Sequence, residues 1–205
     1  MLRSLTISGS ATLMASAWSI PLAVRLVVGG GSRARRLALD LMNSLTSVPT
    51  VVIGLVMYLL LSRSGPLGFL HLLYTPVAIA LGQAILVTPL MISTAAAALS
   101  GIHEGVWEMA MALGATERQA AGVMLREALP SILTVVLLGF NRALGELGIA
   151  LMLGGNVRGF TRVMTTAIAL EVSRGEFELA LSLSGVLLSL AIVVNMAVRR
   201  FGGRG

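Results

Sequence analysis

Long apolar runs follow one another through this chain, and they decide what it can fold into. They cover about Leu5 to Val28, Leu37 to Leu61, Pro76 to Leu99, Pro130 to Leu153 and Leu179 to Val198. A hydrocarbon core about 30 Å thick is crossed by about 20 helical residues, so the chain reads as about five transmembrane helices. A membrane β-barrel would alternate apolar and polar residues in short segments, and these runs do not alternate. Only 12% of the residues are charged and mean hydropathy is +0.92, against about 25% charged in soluble domains. The expected class is all-α, a polytopic helical membrane protein with residues 1–205 as one transmembrane domain. No Pro/Ser-rich linker, low-complexity segment or clear repeat divides it.

Several function classes fall away at once. The chain has no cysteine, hence no disulfide, thiolate metal site or thiol nucleophile. His71 and His103 have no spaced metal partner and read as interfacial packing residues; Trp18 and Trp107 read as packing or interface anchors. "GGGSRARR", residues 29–36, is a turn, because no G-x-x-x-x-G-K-[ST] phosphate loop occurs anywhere. The first run is too long for a signal peptide and carries Pro21 and Arg25 late. The net charge of +6 comes from arginines that flank the apolar runs, which points to membrane topology rather than nucleic acid. With the N-terminus outside, nine arginines fall inside and five outside. That distribution favours N-out, C-in.

Polar residues inside the runs need partners. Asp40, Asn43, Ser44, Thr46 and Ser47 occupy the first half of the second run, and Gln83 and Thr88 the third. "FNRALGELG" places Asn141, Arg142 and Glu146 in the fourth span. Arg142 and Glu146, four residues apart, share a helix face, and Glu146 lies roughly 24 Å beyond Pro130 at 1.5 Å per residue. Two readings stay open there: an ion pair that locks the bundle, or a gate or lining of a pathway. After that span, at about 154–178, Asn156, Arg158, Thr161, Arg162, Thr165 and Thr166 form an extracytoplasmic cluster. Its guanidinium and hydroxyl donors suit a tetrahedral oxyanion. Docking of a binding protein with local capping is the other reading. Val163, Met164, Ala167 and Ile168 are placed to seat a short helix against the membrane.

Between the third and fourth spans, at about 102–127, the pattern changes to "VWEMAMALGATERQAAGVM". Val106, Met109, Ala110 and Leu113 make one helical stripe, with Glu104 and Glu108 in its first turns. Gly114 is placed to end that helix in a left-handed conformation. Thr116 and Gln119 fit a capping box that starts a second helix, with Ala120, Val123 and Met124 as its stripe. The expectation is two short helices joined at a tight turn, a cytoplasmic elbow too small to fold alone. It must pack on its own membrane domain, on another protein, or on both.

"EMAMALGA" resembles the Glu-Ala-Ala-x-x-x-Gly motif of bacterial ABC importer permeases. Glu108, Ala110 and Gly114 match, Met109 replaces an alanine, and the Leu-Pro pair arrives three residues late at Leu129 and Pro130. "SVPTVVIGLVMYLLLSRSGPLG", "RALGELG" and "GGNVRGFTRVMTTAIALE" resemble the tungstate-type members of that family. Such permeases usually carry more sequence before the first matching span, which points to a truncated or late-assigned N-terminus. The resemblance implies that the elbow (Glu108, Ala110, Leu113, Gly114, Ala115 and Thr116) is a coupling helix docking on a separate ATPase subunit. It further implies a homodimer, an extracytoplasmic substrate-binding protein, an oxyanion such as tungstate as cargo, and the cytoplasmic membrane of a bacterium or archaeon. No cofactor, metal, nucleic acid or catalytic residue is expected. Molybdate or sulfate is the alternative cargo, and an ATPase-independent channel or structural bundle the alternative class.

Overall fold

The computed structural model describes residues 1–28 and 33–202, less the side chains of residues 103, 104, 198, 199, 201 and 202. Of the turn expected over residues 29–36, residues 29–32 lie outside the described residues, as do the side chains of His103, Glu104 and Arg199 and all of Arg204, while residues 33–36 are not a turn but the start of a helix. Within the described residues are the helices α1 (Leu2–Val28), α2 (Arg33–Leu45), α3 (Thr50–Leu61), α4 (Pro76–Ala112) and α5 (Glu117–Glu127). After these come α6 (Leu129–Leu144), α7 (Gly148–Gly154), α8 (Met164–Ser173) and α9 (Phe177–Gly202).

Among the described residues, three segments are long and apolar enough to cross a membrane alone: Leu2–Val28, Pro76–Ile102 and Phe177–Ala197. Up to five spans result if each bent pair counts as one, α2 with α3 at 96° and α5 with α6 at 67°. This is a multi-pass helical membrane protein, and the sequence expectation of about five spans is its upper bound.

Three expected elements are corrected in form. The second span is not continuous: Pro49 restricts the residue before it, and the chain turns sharply between α2 and α3. The fourth breaks at residues 145–147, between α6 and α7. The elbow's first helix is not a separate short one. It is the end of the 37-residue α4, which runs about 55 Å at 1.5 Å per residue. Glu108 accordingly lies near the C-terminal end of α4 and not in a first turn.

The core forms where α1, α4 and α6 meet. On α1 the buried residues are Ser4, Ile7, Ser8, Ala11, Thr12, Ala15, Ser19 and Ala23. They recur every three or four positions, and most are small, so the backbone of α1 can approach α4 closely; between lipid-soluble helices such packing replaces the hydrophobic drive. The Ser8 hydroxyl donates to Gln83 Oε1 at 3.2 Å, and Trp18 Nε1 donates to Thr88 Oγ1 at 2.8 Å. Partner numbers rise together, so α1 and α4 run parallel. The start of α1 therefore sits at the opposite end of the bundle from the elbow. At that end the Met164 N–H donates to Ser4 Oγ at 2.9 Å, and the Tyr74 N–H donates to the Leu153 carbonyl at 2.8 Å. A second cluster joins Met57 and Leu61 of α3 to Ala78 and Leu86 of α4 and to Ile149 and Leu153 of α7. By contrast, α2 has no buried residue, and the apolar window of α9 is almost uncovered by the rest of the chain.

Gln83 ties three helices. Its Nε2 donates to the Ala143 carbonyl at 3.0 Å while its Oε1 accepts from Ser8. Replacing it with leucine strands a buried hydroxyl and leaves that carbonyl without its side-chain donor. Gln83→Leu is expected to lower stability by about 1–2 kcal/mol, read as a drop in unfolding midpoint of the detergent-solubilised protein.

Candidate functional site

Two constructions concentrate the chain's polar chemistry: the elbow at the end of α4, and the break between α6 and α7.

At the elbow, Gly114 has φ +83. Its N–H donates to the Met111 carbonyl and the Ala115 N–H to the Ala110 carbonyl, each at 3.0 Å. These two bonds are the Schellman pattern, which satisfies carbonyls that a helix end leaves open. The capping box follows two residues on. The Gln119 N–H donates to Thr116 Oγ1 at 3.4 Å, and the Thr116 N–H donates to Gln119 Oε1 at 2.8 Å. A side chain on Gly114 would meet no atom of this chain within 4 Å. Glycine is required here by backbone conformation, not by crowding within the chain.

Of the second stripe, Ala120 and Met124 dock inward and are fully buried, while Val123 stays exposed; Ala128, one turn on, is buried too, and Met124 and Ala128 belong to the main core. The first stripe docks only in part: Ala110 is buried and Val106 half-buried, while Met109 is 67% and Leu113 84% exposed. The elbow thus packs on its own bundle through one face and presents an apolar tip on the other.

At the α6–α7 break, Arg142 Nη1 donates to Glu146 Oε2 at 2.8 Å. The arginine side chain is 40% exposed, the carboxylate only 4%. Glu146 Oε1 accepts the Ile149 N–H at 3.2 Å, so the acid caps α7 where the helix dipole favours negative charge. The Thr165 hydroxyl, from α8, donates to the Glu146 carbonyl at 3.0 Å. Glu146 therefore joins α6, α7 and α8. Asn141 faces elsewhere. It exchanges reciprocal amide bonds with Asn195 of α9, at 2.9 and 3.1 Å.

In the expected outer cluster most donors are used locally. Thr161 Oγ1 donates to the Gly154 carbonyl and accepts the Val157 N–H. Thr166 Oγ1 donates to the Val163 carbonyl and accepts its N–H. Arg162 donates to the side chain and carbonyl of Asn156, a residue held at φ +52. Arg158 is exposed. Val163 and Met164 are buried at the head of α8. The structure thus brings Arg142, Glu146 and Thr165 together and leaves Asn141 and the Asn156–Arg162 pair apart. Sequence reasoning missed Asn195; a lone amide inside an apolar run was its signal, since such a group needs a partner within the protein.

Long apolar helices, a polar break braced by a buried carboxylate and a projecting elbow define a multi-pass membrane protein of the permease kind. Residues 15–204 match the family described as the binding-protein-dependent transport system inner membrane component, and the chain belongs to it. It is 37% identical to the tungstate uptake system permease protein TupB of Peptoclostridium acidaminophilum, over 95% of this chain and 85% of that protein. A probable anion ABC transporter permease protein of Haloferax volcanii is 36% identical over 98% of this chain and 88% of its own length. The sulfate transport system permease protein CysT of Salmonella typhimurium is 31% identical over 80% of this chain and 63% of its own.

Removing the half-exposed arginine strands a buried carboxylate. Arg142→Ala is expected to destabilise the protein by on the order of 1–3 kcal/mol, and adding Glu146→Gln, which keeps the cap on Ile149, should restore most of the loss. Thermal unfolding of wild type, single and double variants measures both steps.

Proposed function

We propose that this chain is the membrane-embedded subunit of an ATP-driven importer for a tungstate-like oxyanion. Two copies form the pathway, a separate ATPase subunit supplies the work, and a binding protein delivers the anion from outside. The permease itself performs no covalent chemistry.

The observation that carries this reading is the elbow. An apolar tip formed by Met109 and Leu113, held by a glycine turn and anchored through Met124, is the shape of a surface awaiting a protein groove. It stands at the end of α4, one helix that reaches the far side of the bundle. Motion applied at the elbow is therefore delivered along α4 to Gln83 and, through its bond to Ala143, to the end of α6 beside the Arg142–Glu146 break. The outer cluster then serves the binding protein more than the anion, since its threonine hydroxyls already donate to backbone carbonyls. The elbow is assigned to the cytoplasmic face, with the N-terminus outside, because the arginine distribution favours that placement. Similarity to tungstate and anion permeases across nearly the whole chain supports the oxyanion class.

Two measurements test the proposal. Gly114→Trp should leave the protein in the membrane but abolish ATP-driven uptake, whereas Gly114→Asn, which tolerates the left-handed conformation, should retain much of it. Normal uptake by the tryptophan variant would sink the docking assignment. Calorimetry on the partner binding protein should show tungstate bound more tightly than molybdate or sulfate. A sulfate preference would move the cargo assignment within the oxyanions, and an amino-acid preference would overturn it.

A further inference from the structure

At the end of the bundle opposite the elbow, residues 62–75 link α3 to α4 around a cavity of about 520 Å³. Its polar lining comes from Tyr58, Ser62, Arg63, His71 and Tyr74. The Ser62 hydroxyl already donates to the Leu59 carbonyl at 3.0 Å and the Tyr58 and Tyr74 hydroxyls bond each other; Arg63, His71 and one phenol hydroxyl remain as donors, Arg63 carries a fixed positive charge, and residues 62–75 contain no Asp or Glu. Such a lining selects for an anion.

The loop is built to hold these groups in place. A side chain at Gly68 would lie 2.3 Å from the Ser62 carbonyl oxygen, and one at Gly65 would lie 2.1 Å from that of Leu59. The loop is therefore folded backbone against backbone. His71 and Tyr74, both lining the cavity, adopt φ of 50 and 64. Such conformations are costly for bulky residues and persist where the surroundings enforce them. For Tyr74 the enforcing contact is its N–H bond to the Leu153 carbonyl.

What surrounds the cavity identifies the anion's carrier. Leu67, Phe69 and Leu70 are exposed on the same loop, Phe69 to 72%. Below it, the outward face of α3 shows exposed Val51, Val52, Leu55, Val56 and Leu59. That face rises about 12 Å from Val51 to Leu59 and reaches the cavity at Tyr58. An apolar strip that ends in a cationic, donor-lined cup edged by tyrosines is complementary to an amphiphile lying at the membrane boundary. A soluble oxyanion would use the cup and leave the strip and Phe69 unmatched.

We propose that this cavity binds the phosphate headgroup of an anionic phospholipid, with its acyl chains along the exposed face of α3. The site is separate from the Arg142–Glu146 break and does not depend on which solute is transported.

The test is native mass spectrometry of the intact transporter complex, equilibrated with mixed phosphatidylglycerol and phosphatidylcholine. Wild type should retain phosphatidylglycerol preferentially. Combined Arg63→Gln and His71→Asn, the latter chosen because asparagine accepts the left-handed conformation, should reduce that retention roughly fivefold or more, the factor contributed by one cation near an anionic membrane surface. Arg3→Gln, outside the cavity, should leave it unchanged. Tyr74→Phe, which removes one donor while keeping the ring, should weaken retention in the same direction. Unchanged retention in the Arg63/His71 variant overturns the proposal. So does displacement of the lipid by free tungstate or phosphate, which would make the cup a soluble-anion site. Loss of binding-protein docking in that variant with lipid retention intact would make it a protein surface instead.

Discussion

Inside a bilayer, a backbone group that loses its helical partner has no water to turn to, and the rest of this structure depends on that constraint. The chain interrupts its helices repeatedly, and the main interruptions are closed by local bonds. At 113–116 the Schellman bonds and the Thr116–Gln119 box close the turn. At 145–147 the Glu146 carboxylate takes the Ile149 N–H, and Thr165 takes the Glu146 carbonyl. At 155–163 Thr161 serves both the Gly154 carbonyl and the Val157 N–H. Glu146, inside the fourth apolar run, therefore serves first as a substitute for missing helical bonds, whereas Gln83, Asn141 and Asn195 tie one helix to another. That explains why Glu146, expensive to bury alone, is tolerated: it arrives paired with Arg142 and engaged by a backbone donor.

The same constraint sorts the helices into those the chain encloses and those it does not. Small residues on α1 let it close on α4, and Gln83 then reaches both Ser8 and the α6 carbonyl at Ala143. This three-helix unit needs no outside partner. α2 packs on α4 with only Leu39 partly buried against the core, and α9 is held mainly through α6 and α8, including the Asn141–Asn195 exchange. Their apolar faces are therefore turned toward lipid or another protein. Under the proposed function, a second copy of the chain would meet this exposed half while the closed half stays rigid.

Much of this was readable in the sequence because it is local. Residue spacing alone indicates the Thr116–Gln119 box, the left-handed Gly114 and the four-residue step from Arg142 to Glu146, and all three geometries are present. Helix continuity was less readable, because it is settled by neighbours. The third span was expected to end near Leu99 and a separate short helix to follow, yet α4 runs on unbroken to Ala112. Added side chains at Gly101 and Gly105 would touch nothing within 4 Å, so these glycines sit on open helix surface and mark no turn. Pro49 was visible as a helix breaker, but the 96° angle it accompanies depends on where α3 packs against α7. Among the outer residues, composition suggested an anion cradle. Only coordinates reveal that the hydroxyls of Thr161, Thr165 and Thr166 are turned to backbone carbonyls.

The continuity of α4 changes how force would pass through the molecule. Two separate short helices would form a hinge unit able to rock without moving the bundle. A single 37-residue helix cannot do so, because each turn is bonded to the next. Displacing Leu113 displaces Leu99, Met91 and Gln83, which are buried against α1 and α6. Under the proposed function, the elbow is thus the exposed handle of a lever whose other arm reaches the braced break at Glu146. The Arg142–Glu146 pair and the Asn141–Asn195 exchange lie where that motion must be absorbed, on the two sides of α6. Both consist of bonds that can be broken and remade without unfolding a helix, as two discrete states of a packed interface require.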